Sequence, residues 1–327
     1  MSLNNFDREL NITLYEKLFL ARRSEEYIIK YYPEDEMKTP MHMSMGEEAN
    51  AVGVIHALKA DDQVVCSYRS HAIFLAKTRD TDKFFGELYG KVTGTAEGKS
   101  GSMHLADPEK GHICSTAIVG SGISVAVGIG FANLMKKNGN ISCAFFGDGA
   151  MDEGTFWESI NLACLKELPV LFICEDNGFA VHTCCATRQG YESIDKILAG
   201  FNCDLFFTDS TDVEVIYQLA QKAIDSIKTK NRPAFLRIKC YRYLEHVGIN
   251  EDFDAGYRSK EKYLEWYKKD CVKIQRQKLL DNGIAENEIT KLEKNIDEKI
   301  EASIQKAKTA PFPQPQELYR GVFYEKN

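Results

Sequence analysis

The sequence contains no apolar run of the roughly eighteen residues that a bilayer-spanning helix needs. Asp7, Arg8, Glu9 and Glu16 interrupt the first turns, so no signal-peptide core forms there. Basic residues fall short of acidic ones, 41 against 48, and the resulting net charge of −7 is the opposite of a nucleic-acid-binding surface. Cysteine is plentiful, with ten residues, but the paired spacing of a metal-binding or disulfide framework is missing. Cys66, Cys143, Cys164 and Cys174 fall singly in apolar segments, and only Cys184 and Cys185 are adjacent. Buried thiols in a reducing compartment are the reading. Internal repeats and low-complexity tracts are absent too. These absences lead us to expect a soluble, cytoplasmic protein that engages neither nucleic acid nor membranes.

What is present is a chain of 327 residues, 44% hydrophobic, enough for one large or two small domains with a self-sufficient core. Its most informative stretch runs from Ile141 to Thr183. An apolar run (Ile141 to Phe146) ends at Gly147-Asp148-Gly149, a helical segment follows, and a second apolar run spans Val170 to Cys174 before Asp176-Asn177-Gly178-Phe179. Strand, helix, strand at this spacing makes the strands parallel, with both carboxyl ends on one edge of the sheet. Asp148 and Asn177 then meet where open α/β sheets bind ligands. A carboxylate, an amide oxygen and a backbone carbonyl suit Mg²⁺ that completes its shell with phosphate and water. Gly147 and Gly149 allow close backbone approach, and the following helix start favours an anion.

Helical periodicity marks Thr13 to Tyr32, with Arg22, Arg23, Glu25 and Glu26 largely on the polar face, and a second helix beginning near His42-Met43-Ser44-Met45-Gly46-Glu47-Glu48-Ala49. A lone histidine such as His42 is usually structural. Val64 to Cys66 reads as a short strand leading to Tyr68-Arg69-Ser70-His71, where Arg69 is either a surface charge or a bidentate phosphate holder. The loop Gly90 to Gly101 is long for a compact domain and belongs to a site or an interface. Small residues at Gly122, Ala126, Gly128 and Gly130 in a helix over Ile123 to Leu134 call for close packing against another helix or chain. Further strands are expected at Cys203 to Thr208 and Pro233 to Cys240, and helices at Val213 to Ile227, Lys260 to Leu280 and Glu286 to Lys306. The fold class is therefore α/β, a mainly parallel sheet with helices on both faces plus helical N- and C-terminal extensions. The division expected is an α/β domain over 1–259 and a helical extension over 260–327, whose charges form solvated faces.

Gly147-Asp148-Gly149 followed by Asp176-Asn177-Gly178 resembles the thiamine diphosphate signature of alpha chains of the decarboxylating first component of 2-oxo acid dehydrogenase complexes. The similarity runs from the first helix to the closing PFPQPQELYRGVFY. It implies a thiamine-diphosphate-binding fold of the diphosphate-domain type. It also implies that Asp148 and Asn177 bind Mg²⁺ through side chains and Phe179 through its carbonyl, with Gly147, Gly149 and Ala150 lining the diphosphate. By the same resemblance, Tyr68 and Arg69 contact the diphosphate and Ala117 and Val119 touch the aminopyrimidine. His42 matches the histidine of the family's His-Leu-x-x-Gly-Gln-Glu-Ala motif at the active-site mouth. Arg242 and His246 match its Tyr-Arg-x-x-Gly-His-Ser loop, and His71 either positions substrate or finishes its own loop. The chain departs from the family at Asp176 (Asn), Glu245 (Gly) and Val247 (Ser). Asp176 adds negative charge beside the metal, and a serine switch at Val247 is ruled out.

The function implied is that of the alpha subunit of a thiamine-diphosphate-dependent 2-oxo acid or acetoin dehydrogenase that passes an acyl group to a lipoyl carrier. Such a chain has an obligate beta partner carrying the pyrimidine-binding domain, in an α₂β₂ assembly, and a lipoyl acyltransferase downstream. Two alternatives remain open at this point: a carboligase or decarboxylase without a lipoyl carrier, suggested by the Glu245-His246-Val247 loop, and a cofactor-binding regulatory subunit without turnover.

Overall fold

Successive residues of the central strands point to opposite apolar clusters, and that alternation builds the two sides of the molecule. The computed structural model describes residues 6–320, so the last positions of the terminal match, 321–324, lie outside the described residues. Six parallel strands form the sheet: β1 (Gln63–Ser67), β2 (His112–Thr116), β3 (Ser142–Gly147), β4 (Val170–Asp176) and, after a small antiparallel hairpin of β5 (Phe179–Ala180) and β6 (Thr183–Cys184), β7 (Asp204–Thr208) and β8 (Ala234–Lys239). Their order is β2-β1-β3-β4-β8-β7. Val64, Cys66, Cys143, Phe145, Leu171 and Ile173 face one apolar cluster, while Val65, Ala144, Phe146, Val170, Phe172 and Cys174 face the other. This period of two, in strands buried on both faces, is what a covered parallel sheet requires.

Eleven α-helices are assigned among the described residues. The first cluster is closed by α1 (Arg8–Tyr31), α2 (Glu48–Ala57), α3 (His71–Thr78), α8 (Val213–Lys230) and α10 (Cys271–Asp281); α5 (Ser121–Lys136), α6 (Gly154–Leu165) and α7 (Ile194–Leu198) close the second. A third cluster joins α1 to α4 (Thr81–Leu88) and α11 (Glu286–Thr309). The last helix to name, α9 (Lys260–Tyr267), is followed by a break. One helix was expected over Lys260 to Leu280. It is divided because the Asp270 side chain accepts from Lys273 N and caps a new helix, while its other oxygen takes a bond from Arg22 at 2.8 Å.

Arg22 and Glu25 also depart from the expected polar face of α1. Both are buried. Arg22 bridges Asp270 and Glu48, whose second oxygen accepts from Gly46 N at 2.8 Å. Glu25 accepts from Ser44 N at 2.6 Å and lies 2.9 Å from His71 Nδ1. Charges that hydrogen-bond a loop can be buried where unpaired ones cannot. Segment 42–47, expected to open α2, is thereby held outside the helix, with His42 bridging to Gly248 and a turn at 45–46.

The glycines of α5 pack differently from expectation. A Cβ at Gly130 would lie 2.5 Å from Val170 Cγ2 and one at Gly122 would lie 3.2 Å from Val65 Cγ1, so the close partner is the sheet; Gly128 faces open space. No described helix is long and apolar enough to cross a membrane, and all ten cysteines are free thiols.

Candidate active site

The chain passes from β1 to β2 on one side and to β3 on the other, so the order reverses between β1 and β3. A crevice opens beyond the carboxyl ends of strands at such a point. Tyr68 and Arg69 enter it after β1, Gly147 at the end of β3 with Gly149 and Ala150 following, and Asn177 and Phe179 after β4. Gly149 is there because the β5–β6 hairpin comes so near that a Cβ would sit 2.8 Å from Ala180 Cβ. Val119 and Ile118 form an apolar rim, and Arg242 and His246 close the far side.

Three rings meet at that far side. His42 lies 4.5 Å from Tyr68 and 5.3 Å from His246, centroid to centroid. Two guanidinium groups face His246 Nδ1, Arg242 at 3.3 Å and Arg69 at 3.4 Å. Guanidinium can only donate, so Nδ1 accepts and the imidazole proton belongs on Nε2. Burial first, and then the charges of Arg69 and Arg242, push the His246 pKa down to about 3. His42 is likewise pushed down to about 3 by burial, then by Arg69. Both rings are therefore neutral near pH 7. Arg69 is fixed by Met43 O at 2.7 Å and by His246 O at 3.1 Å.

At the other end, Asp148 is buried and its Oδ1 has no hydrogen-bond partner. Its Oδ2 is paired with Arg188, which also holds Asp152, and Cys185 Sγ lies 3.0 Å away. Asp148 follows Gly147, which is in register with Glu175 on β4, so Asp148 and Asn177 leave neighbouring strands. Asn177 donates from Nδ2 to Glu47 Oε1 at 3.0 Å and accepts through Oδ1 from Phe179 N at 3.1 Å. A buried carboxylate oxygen without a partner, at the end of the strand next to the one that leads to Asn177, fits a hard divalent cation. The charge added at Asp176 is absorbed by β8: Arg237 reaches it at 3.0 Å and Lys239 at 3.2 Å.

A model of the family described as "Dehydrogenase E1 component" matches residues 16–316. The alpha subunit of acetoin:2,6-dichlorophenolindophenol oxidoreductase from Bacillus subtilis is 32% identical over 321 residues, covering 97% of this chain and 95% of its own. The pyruvate dehydrogenase E1 component subunit alpha of Zymomonas mobilis is 31% identical over 322 residues, covering 98% and 90%. The chain belongs to the dehydrogenase E1 component family.

Most of the residues matched to E1 motifs gather at this crevice: Tyr68, Arg69, Val119, Gly147, Gly149, Ala150, Asn177, Phe179, Arg242 and His246 line it. His42 stands behind them, through its contacts with Tyr68 and His246. Ala117 is not among the lining residues, where Ile118 takes its place, and neither is Asp148, which is buried between the lining residues Gly147 and Gly149. His71 is not brought to the crevice either; it is fully buried between Glu25 and Ser102 Oγ, 2.6 Å from the latter, and ties α1 to α3. The loop Gly90 to Gly101 also lies outside the lining, folded around the Glu87 carboxylate, which accepts from Ala96 N, Gly98 N, Ser100 N and Gly101 N. Sequence reasoning missed Glu47, Glu175, Arg188, Cys185 and Tyr257. Only Glu47 carried a signal, standing where the E1 motif has Gln. Glu175 lines the floor, its carboxyl raised well above the usual range by burial and then by the Glu47 charge.

Glu245, the departure that suggested a different chemistry, turns away from the crevice. Its Oε1 accepts from Asn250 N and Nδ2, both at 3.0 Å, and closes its own loop. Tyr257 then packs between Phe179 (5.4 Å) and His182 (4.6 Å), joining the loop after β8 to the hairpin after β4.

Proposed function

We propose that this chain is the alpha subunit of a thiamine-diphosphate-dependent dehydrogenase acting on a small 2-oxo acid or on acetoin, with Mg²⁺ holding the diphosphate and a beta subunit completing the site. The observation that carries the proposal is a crevice with a neutral, oriented imidazole at one end and, buried between the lining residues Gly147 and Gly149 at the other, the Asp148 carboxylate with one oxygen unpartnered. Family membership and relatives named for pyruvate dehydrogenase and an acetoin oxidoreductase support it.

Asp148, Asn177 and the Phe179 carbonyl would hold Mg²⁺, and Gly149, Ala150, Tyr68 and Arg69 would receive the diphosphate. Bound thiamine diphosphate supplies a carbon nucleophile and an electron sink for cleaving a bond next to a carbonyl. The chain's own part is positioning and charge. His246 presents Nε2–H to a substrate oxygen, with Arg69 and Arg242 fixing that tautomer and adding positive potential. His42 and Tyr68 pack against its ring and exclude water. The Glu245 arrangement leaves the substrate side of the crevice as the E1 motif residues shape it, which favours the dehydrogenase over a carboligase.

Support for a beta partner comes from the word alpha in the relatives' names and from the surface. The crevice of about 230 Å³ is smaller than a complete small-molecule site of roughly 300–1,000 Å³. From its rim an apolar ridge continues over Ile118 (67% exposed), Phe131 and Met135 (68%) on α5 and Leu162 and Leu165 (70%) on α6. A ridge of this kind marks a protein interface. We place the partner there, in an α₂β₂ assembly whose acyl product passes to a lipoyl carrier in the cytoplasm.

The test is co-purification with a beta-type chain, followed by melting with thiamine diphosphate and Mg²⁺ and by dye reduction with pyruvate or acetoin. Ligand at a hundred times its dissociation constant stabilises by about 2.7 kcal/mol. Asp148→Ala should abolish the Mg²⁺-dependent shift; a shift that survives the substitution rejects the cofactor site.

A further inference from the structure

Asp148 has a neighbour that a hard, oxygen-only cation site does not need. Asp148, Asp176 and Cys185 each present one ligand atom, and the three atoms lie within 4.8 Å of one another. Cys185 Sγ is 3.0 Å from Asp148 Oδ2, and Asp148 is 1% exposed with Oδ1 unpartnered. A positive charge already occupies this place, because the Arg188 guanidinium touches both Asp148 Oδ2 and, at 3.1 Å, Cys185 Sγ. Bond lengths of about 2.3 Å to sulfur and 2.0–2.2 Å to oxygen set tetrahedral ligand atoms roughly 3.5 Å apart, close to what the two side chains already adopt. Magnesium takes oxygen ligands and gains nothing from a thiol, whereas thiolate selects zinc-like ions.

We propose that Asp148, Asp176 and Cys185 supply the protein ligands of a site for a thiophilic divalent ion of the zinc class, which competes with Mg²⁺ for Asp148. On binding, the ion replaces the Arg188 guanidinium at Asp148 and Cys185. Arg188 keeps its pair with Asp152, and the thiol proton passes to solvent. Asp176 lends an oxygen while it stays bridged to Arg237 and Lys239, since a carboxylate has more acceptor positions than these two cations fill. Water completes the shell. Cys184 takes no part, its Sγ lying against Thr187 instead. The consequence is inhibition: an ion held here removes the carboxylate on which Mg²⁺ and the diphosphate depend.

The probe is Co²⁺, titrated into the metal-free full-length chain co-purified with its beta partner. Thiolate ligation gives a near-ultraviolet sulfur-to-cobalt charge-transfer band. Wild type and Cys184→Ser should develop the band with one equivalent of Co²⁺, and Zn²⁺ should bleach it. Cys185→Ser and Asp148→Asn should lack it while keeping the wild-type circular dichroism spectrum. No band in wild type, or a band that persists in Cys185→Ser, overturns the site. Competition rests on the cofactor reading given under Proposed function, but the cobalt band does not, so the two fail separately. Excess Mg²⁺ with thiamine diphosphate should bleach the band, and a band that withstands both overturns the inhibition.

Discussion

Asn177 donates its side-chain N–H to Glu47 Oε1 at 3.0 Å, and the same carboxylate stands 3.7 Å from Arg69 Nε. One buried acid therefore holds a proposed metal ligand with one arm and, with the other, the guanidinium that orients His246. The two ends of the crevice are mechanically joined through a side chain that touches neither the proposed ion nor the imidazole. Glu47→Ala should weaken Mg²⁺-dependent thiamine diphosphate binding by about tenfold or more, since an abandoned buried partner costs about 1–3 kcal/mol. Glu47→Gln keeps an acceptor for Asn177 and should bind within a few-fold of wild type. Calorimetric titration of both variants measures the difference.

His246→Ala should reduce turnover by roughly 10²–10⁴ while leaving the cofactor-induced melting shift intact, as expected for a proton-holding group remote from the diphosphate. Steady-state dye reduction and melting of the same preparation decide it. Weakened cofactor binding with normal turnover would contradict the assigned role.

Acid should destabilise the fold through His42 and His246. Both folded pKa values lie near 3, below the usual 6.5, so the folded state binds fewer protons than the unfolded one. Their contribution is complete above pH 6.5 and declines as pH falls from there toward 3. Melting temperature should drop from pH 7.5 to 4.5, with a shallower slope in His42→Phe than in wild type.

Arg188→Gln should tighten Mg²⁺ binding, by about tenfold, because the guanidinium is a resident competitor for Asp148 and charge-assisted bonds contribute about 1.5–3 kcal/mol. Mg²⁺ titration monitored by thiamine diphosphate binding gives the answer; weaker binding would show that Arg188 supports the anion instead.

Glu87→Ala should release the 91–101 loop. Four backbone N–H groups and Ser100 Oγ converge on its carboxylate, and their loss should cost at least about 2 kcal/mol. Limited proteolysis, with new cleavage inside the loop and unchanged sheet signal, is the measurement.

Local pattern was enough for five of the six strands of the sheet, the edge strand β2 being the one it did not show, for most of the helices and for the crevice motifs. Apolar runs bounded by glycine turns dictate parallel strands, and parallel strands put Tyr68-Arg69, Gly147-Asp148-Gly149 and Asn177 on one edge whatever the remaining contacts are. Tertiary packing decided the rest, because burial of a charge depends on what approaches from far along the chain. Arg22 and Glu25 read as solvent-facing until Asp270 and His71 arrive, from 248 and 46 positions away, to pair with them. His71, read as positioning substrate or finishing its loop, is drawn into that network, and Cys185 and Arg188, in the irregular segment after the β5–β6 hairpin, reach Asp148 only through tertiary folding. A sequence fixes which atoms can bond at short range; which distant atoms end up within hydrogen-bond distance is settled by how the layers pack.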